Sequence, residues 1–353
     1  MVDKHLVEVV LESLRQHPPS KTDAESTTFT ASDLKFHNMA RLWAGMGYIY
    51  RVDVRGHTPR VVKHVRLPPS ITSVGDQRKA DSYHCEANFY QHVVPHLRHN
   101  HGVDLPETYH VERTERSVLI VMSFIDTIQS AYLNPNRTRL VLSWLARFHA
   151  ATWGSQSTRL VQTHGLQALG TYWHLDTRPD EHASMSNKGV EGRLKMAARA
   201  IHERLQRDPC QSLVHGDAKE ANLLFVYRNN HPQEEGVVLC DFQYCGRGTP
   251  AKDLAYFFCS SVDDLEEREG DYLEFYVAQL TLFLPHKDMA PAIGAMRDSL
   301  EWAYCDFARF MAGWGSWGND LSDRVRAKLD GLDDGSKLGS EEAYCTAMLQ
   351  RFG

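Results

Sequence analysis

The stretch Leu213-Val214-His215-Gly216-Asp217-Ala218-Lys219-Glu220-Ala221-Asn222-Leu223-Leu224-Phe225 decides the reading of this chain. An apolar strand runs into His215 and a glycine turn, and two acceptor side chains, Asp217 and Asn222, follow before a second apolar run resumes. After a polar turn, Val237-Val238-Leu239-Cys240 delivers Asp241, Phe242 and Gln243. Three oxygen-bearing side chains therefore stand at strand ends within the 25 positions from 217 to 241.

Such a set suits phosphoryl transfer. That chemistry draws positioning and charge stabilisation from the protein, through a carboxylate beside the attacking hydroxyl and oxygen ligands for magnesium. Asp217 is placed for the first task. Asn222, five residues further on, can curl back over the same loop and present its amide oxygen to a metal, while Asp241 at the end of a buried strand supplies a hard anionic ligand. A lone Asp beside glycine or at a strand end would be read as a cap or turn residue. The ordered set His215, Asp217, Asn222, Asp241 and Asp253 outweighs that reading.

The pattern His, any residue, Asp, four spacers, Asn, followed by an apolar strand ending in Asp-Phe, resembles the catalytic and metal-binding loops of kinases. His-Gly-Asp without an Arg before the Asp, and Asp-Phe-Gln in place of Asp-Phe-Gly, is similar to the small-molecule kinases related to choline kinase and aminoglycoside phosphotransferases, above all to the ecdysteroid-kinase-like branch. The run Gly248-Thr249-Pro250-Ala251-Lys252-Asp253-Leu254-Ala255-Tyr256 is similar to the Pro-x-x-Asp-Leu-Ala segment of that branch. The resemblance extends from about residue 40 to about residue 315. It implies a two-lobed, protein-kinase-like α+β fold. A small β-rich nucleotide-binding lobe would cover residues 1–125, with a leading helix over 1–17, and a larger, mainly helical catalytic lobe residues 126–353. It also implies ATP and Mg2+ as cofactors and a small molecule as acceptor, with His215 and Asp253 holding the geometry of the loop. A protein kinase is disfavoured, since Asp241 and Asp253 stand only twelve positions apart and leave no room for an activation segment.

In the first lobe, Leu6, Val9, Val10 and Leu14 recur at helical spacing until Pro18 and Pro19 stop the pattern. Tyr48–Val54 and Arg60–Val65 read as strands, with Arg55 to Thr58 as the turn between them. By the resemblance, Gly45 and Gly47 let backbone approach the phosphates and Lys63, in a Val-Val-Lys context, reaches their oxygens; Tyr50 stands where a third glycine would be. Tyr83, Glu86, Tyr90, Val93 and Leu97 share one helix face, which sets Glu86 in an inward stripe. A buried carboxylate needs a partner, and the resemblance names Lys63. His92, His96, His99 and His101 have no acidic or Cys ligand set among them and read as structural or solvent-exposed residues rather than a metal site. Val118–Met122 is a buried strand, and residues 123–126 cross to the second lobe.

There Asn134 caps a helix opened by Pro135, with Val141, Trp144, Leu145 and Phe148 as its stripe. Residues 155–190 read as an irregular polar insertion able to shape substrate choice. Leu265–Glu269 reads as a solvated acidic face. Trp302, Tyr304, Trp314 and Trp317 beside Asp306 could cage a quaternary ammonium, although aromatics at helical spacing more often close a core. Spacing alone does not say which of the three tryptophans line a pocket.

Composition excludes other classes. A net charge of −6 recruits neither nucleic acid nor an anionic membrane, and no run approaches the 18 apolar residues of a membrane span. The amino terminus lacks the features of a signal peptide. Seven cysteines without paired short spacings read as free thiols in a reducing compartment, hence a cytoplasmic protein. The sequence therefore points to an ATP-dependent phosphotransferase acting on a hydroxyl of a small molecule, be it choline-like, a sterol or other lipid alcohol, a sugar or an aminoglycoside. The alternative is a catalytically silent nucleotide- or ligand-binding module of the same fold, which has no need for both metal ligands and the base. Oligomeric state is not written in the sequence.

Overall fold

The Asp3 carboxylate accepts the Leu6 N–H at 2.8 Å and opens α1 (Lys4–Gln16). This is a computed structural model that describes residues 3–18, 29–42, 45–68, 73–129, 132–177, 179–228, 231, 233–286, 289–314 and 320–352. Leu6, Val9, Val10 and Leu14 of α1 are buried in one cluster with Val52, Val54, Val62, Leu119 and Val121. Those partners lie on an antiparallel sheet of five strands: β1 (Leu34–Arg41), β2 (Gly47–Val54), β3 (His57–Arg66), β4 (Thr108–Thr114) and β5 (Ser117–Ser123), in the order β1-β2-β3-β5-β4. The hairpin between β2 and β3 is tighter than the sequence suggests. Gly56, at φ +76°, closes the turn so early that His57 already pairs with Val54.

Because strand side chains alternate between faces, Val62 enters the cluster beneath α1 while its neighbour Lys63, set across from Ile49 and Ile120, points to the opposite face. The helix on that face is α2 (Val74–Asn88), which passes through a π-type stretch at Phe89–Val93 into α3 (Val94–His101). Pro95 lacks the N–H of a regular turn, so the helix is restarted rather than continued. The stripe of Tyr83, Glu86, Tyr90, Val93 and Leu97 survives the irregularity, and all five are buried. The histidines at 92, 96, 99 and 101 lie exposed or half-buried.

Gly47 is fixed by this sheet. Its φ is +139°, and a Cβ there would stand 2.0 Å from the His64 carbonyl oxygen on the paired strand. Gly47→Ala is expected to destabilise the protein by more than about 1 kcal/mol, as an earlier midpoint in urea unfolding; an unmoved midpoint contradicts the close approach.

In the remaining chain, Asn134 Oδ1 accepts the N–H groups of Asn136 and Arg137, both at 3.0 Å, and starts α4 (Pro135–Ala151). The irregular insertion expected from 155 onward is corrected in part. Ser155–His164 forms α5, burying Ser157 and Leu160 as a narrow stripe and ending at Gly165 in the left-handed conformation. There follow α6 (Pro179–Ser184), α7 (Gly189–Gln206), β6 (Ser212–Val214), β7 (Leu223–Tyr227), β8 (Glu235–Leu239), β9 (Gly246–Gly248), α8 (Ala251–Ser261), α9 (Leu265–Phe283), α10 (Ile293–Trp314), α11 (Ser322–Asp333) and α12 (Glu341–Phe352). β6 pairs with β9, and β7 with β8. Among the described residues no helix is long and apolar enough to cross a membrane. All seven cysteines are free thiols.

Two compact units result, Met1–Gln129 with Leu224–Gln243, and Ser130–Leu223 with Tyr244–Gly353. The Ile128 N–H donates to the Phe225 carbonyl at 2.8 Å, which ties β7 to the first unit, so no single cut in the sequence describes the division. Within the second unit the acidic face expected at Leu265–Glu269 is not solvated throughout: Glu269 is buried and paired with Arg324, which also reaches Glu301 at 2.7 Å. Trp302 is fully buried, Trp314 is about half exposed at 48%, and Trp317 lies outside the described residues. Asp306 is committed to Arg309 at 2.7 Å and Lys252 at 3.2 Å, so this carboxylate neutralises two buried cations rather than facing an aromatic cage.

Candidate active site

In the second unit the loop after β6 is built on Gly216. Its φ is +84°, and a Cβ would come within 2.3 Å of the Tyr244 carbonyl oxygen, so glycine alone fits between His215 and Asp217. Asp253, from the first turn of α8, holds this loop by its backbone, accepting the N–H of His215 at 2.6 Å and that of Gly216 at 2.9 Å. The same carboxylate meets His149 Nε2 at 3.1 Å, and His149 Nδ1 meets the Tyr276 hydroxyl at 2.8 Å, with all of these groups buried. Burial alone would push the Asp253 carboxyl up, but the hydrogen bond and charge of His149, with the His215 charge and the Gly216 N–H, hold it below its ordinary value.

The next residue is thereby placed. The Asp217 N–H donates to His215 Nδ1 at 3.2 Å, and its carboxylate is almost wholly buried. Asn222 curls back as its spacing predicts, donating Nδ2 to the Asp217 carbonyl at 2.8 Å and to Asp217 Oδ2 at 3.1 Å. Lys219 Nζ stands 3.1 Å from the same oxygen. Lys219 is not among the residues singled out from the sequence, although a cation two residues after a candidate base is a signal in itself.

In the first unit Lys63 Nζ meets Glu86 Oε2 at 2.6 Å, the ion pair that the family resemblance implies, and also Asp241 Oδ1 at 3.0 Å. Lys63 and Glu86 are 5% and 1% exposed, so neither charge is screened by water. Burial disfavours the Lys63 ammonium, yet the charges of Asp241 and Glu86 more than offset it and hold the group protonated far above neutrality. Burial pushes the Glu86 carboxyl up to about 7 against the pull of Lys63. Asp241 has a left-handed backbone at φ +69°, a strained conformation for a residue with a side chain. Gly45, at φ +71°, stands just ahead of β2, which opens at Gly47.

The candidate residues therefore gather as two sets, Asp217 with Asn222 in the second unit and Lys63, Glu86 and Asp241 in the first. Asn222 in the second unit and Asp241 in the first each carry an oxygen donor whose chemistry suits magnesium. With the Asn222 amide nitrogen turned to Asp217, its oxygen lies on the opposite side of the planar group; the Asp241 side chain is a carboxylate. Both are hard oxygen donors of the kind magnesium takes, one or two from protein and the rest from water and phosphate. Among the described residues no group of three or more His, Cys, Asp or Glu side chains forms a metal cage.

A five-stranded antiparallel sheet carrying a buried Lys–Glu pair, followed by a mainly helical part, is a protein-kinase-like fold. The chain superposes on a Plasmodium vivax ethanolamine kinase with a TM-score of 0.50 at 12% identity, covering 99% of this chain and 88% of that one. It is also similar to an amicoumacin kinase solved with AMP-PNP, Ca2+ and amicoumacin (TM-score 0.47, 12% identity, 93% and 91% covered). A Streptomyces rimosus aminoglycoside phosphotransferase is similar as well (TM-score 0.45, 16% identity, 90% and 100% covered). Residues 155–287, which hold His215, Asp217, Asn222, Asp241 and Asp253, match the model of the ecdysteroid kinase-like family, and the family resemblance drawn from the sequence is borne out there. The comparison with curated protein sequences returns no match.

Proposed function

We propose that the protein is an ATP-dependent phosphotransferase that moves the γ-phosphoryl group to a hydroxyl of a small molecule. The observation that carries this reading is Asp217, a buried carboxylate held by its own loop and flanked by the Asn222 amide and the Lys219 ammonium. Asp217 orients the acceptor hydroxyl and takes its proton as the oxygen attacks. Lys63, kept cationic by Glu86 and Asp241, pairs with phosphate oxygens, and the backbone from Gly45 to Gly47 covers them. Asn222 and Asp241 would each offer an oxygen to magnesium, which when bound would offset the charge of the phosphates. Lys219 adds a cation beside Asp217 for charge developing on the transferred group. His215 and Asp253 keep the loop in place.

The acceptor is an alcohol of the choline-like, sterol or lipid, sugar or aminoglycoside kind. The test is turnover of ATP with magnesium against a panel of those alcohols. One acceptor should be phosphorylated with stoichiometric release of ADP. ATP that raises the melting temperature while every acceptor stays unmodified would identify a binding module instead.

A further inference from the structure

Gln243 is the member of the Asp-Phe-Gln run to which the reading above gives no task. It is buried, 5% exposed, and its amide is engaged at both ends. Nε2 donates to Asp241 Oδ1 at 2.6 Å, while Oε1 accepts from Ser82 Oγ at 3.0 Å and from Lys79 Nζ at 3.3 Å. Two donors at one end fix which atom is the oxygen, so the nitrogen must face Asp241. No other acyclic side chain of this length serves both sides: a glutamate would set two carboxylates against each other, and a methionine would offer neither donor nor acceptor of any strength. Lys79, Ser82 and Glu86 recur at steps of three and four on α2, so one face of that helix addresses Asp241 twice. One route runs through Gln243, the other through Glu86 and Lys63, whose ammonium reaches the same Oδ1 at 3.0 Å. Phe242, between the two residues, stacks on Phe89 with ring centroids 3.9 Å apart and closes the anchorage.

We propose that Gln243 is a positioning residue that suspends Asp241 from α2 and sets the orientation of its carboxylate toward the metal–nucleotide complex. This rests on the reading of Asp241 as a metal ligand. Glycine at this place would remove the amide contact to Asp241 and loosen the strained backbone at 241. Glutamine removes that freedom, and α2 and Asp241 move as one body.

The test measures binding of ATP to the full chain by calorimetry, once with magnesium and once in EDTA. Gln243→Met should weaken binding of the magnesium complex by about tenfold or more and leave binding of metal-free ATP unchanged, because Lys63 and Glu86 are untouched. Ser82→Ala, which removes one of the two donors orienting the amide, should give a smaller loss of the same kind, and it carries the test should Gln243→Met fail to fold. Equal loss with and without magnesium, or no loss at all, overturns the proposal. Wild-type protein whose ATP affinity ignores magnesium overturns the metal reading of Asp241 and the orienting role together. The amide clamp is read apart from either through a double-mutant cycle of Gln243→Met and Asp241→Asn in urea unfolding. Non-additivity is the expected result, and additivity overturns it.

Discussion

Asp217→Asn is expected to lower turnover by about a hundredfold or more while leaving ATP affinity close to that of the wild type. The substitution keeps the size of the side chain and one oxygen, so the Asn222 and Lys219 contacts at Oδ2 can persist in part, and the loop is held elsewhere, by Asp253 on the backbone of His215 and Gly216. What disappears is the anionic acceptor for the hydroxyl proton. Because that proton moves only as the phosphorus–oxygen bond forms, the loss belongs to the transition state and should appear in kcat rather than in the KM for ATP. Single-turnover kinetics with the responsive acceptor decide the matter. A variant as fast as the wild type removes Asp217 from the reaction.

Lys63→Ala is expected to cost about 3–5 kcal/mol of stability at neutral pH, with a marked dependence on pH. The substitution leaves Glu86 and Asp241 facing the place of a cation that had served both. The Glu86 carboxyl already sits at about 7 because of burial, and without the opposing pull of Lys63 it rises further. Folded protein then keeps a proton on Glu86 that the unfolded chain, with its carboxyl near the ordinary 4.5, has released. By linkage, stability falls as pH climbs above that ordinary value and recovers in acid, where both states are protonated. Urea unfolding of wild type and variant at pH 5 and pH 8 should show the larger difference at pH 8. A difference of the same size at both would mean that Glu86 finds another partner.

Much of this molecule is legible in its sequence. The apolar spacing of Leu6, Val9, Val10 and Leu14 fixed an amphipathic helix, and the cap at Asn134 followed by Pro135 fixed the start of another, because capping and periodicity are local properties of the chain. The stripe through Glu86 called for a buried cation, since a carboxylate inside a protein cannot stay unpaired cheaply. Spacing alone also brought Asn222 back onto Asp217.

Contacts at long sequence separation were not legible. Nothing local says that Gly47 is demanded by the His64 carbonyl of the neighbouring strand as well as by any phosphate, or that Glu269 in an acidic run is taken inward by Arg324. Only the folded chain decides that Lys63 answers two carboxylates, that Asp253 holds the loop of Asp217 by its backbone, and that Asp306 is used up by Lys252 and Arg309. Local patterns determine which elements form and which side chains must be satisfied. Which of several chemically equivalent partners satisfies them depends on packing, and packing is a property of the whole chain.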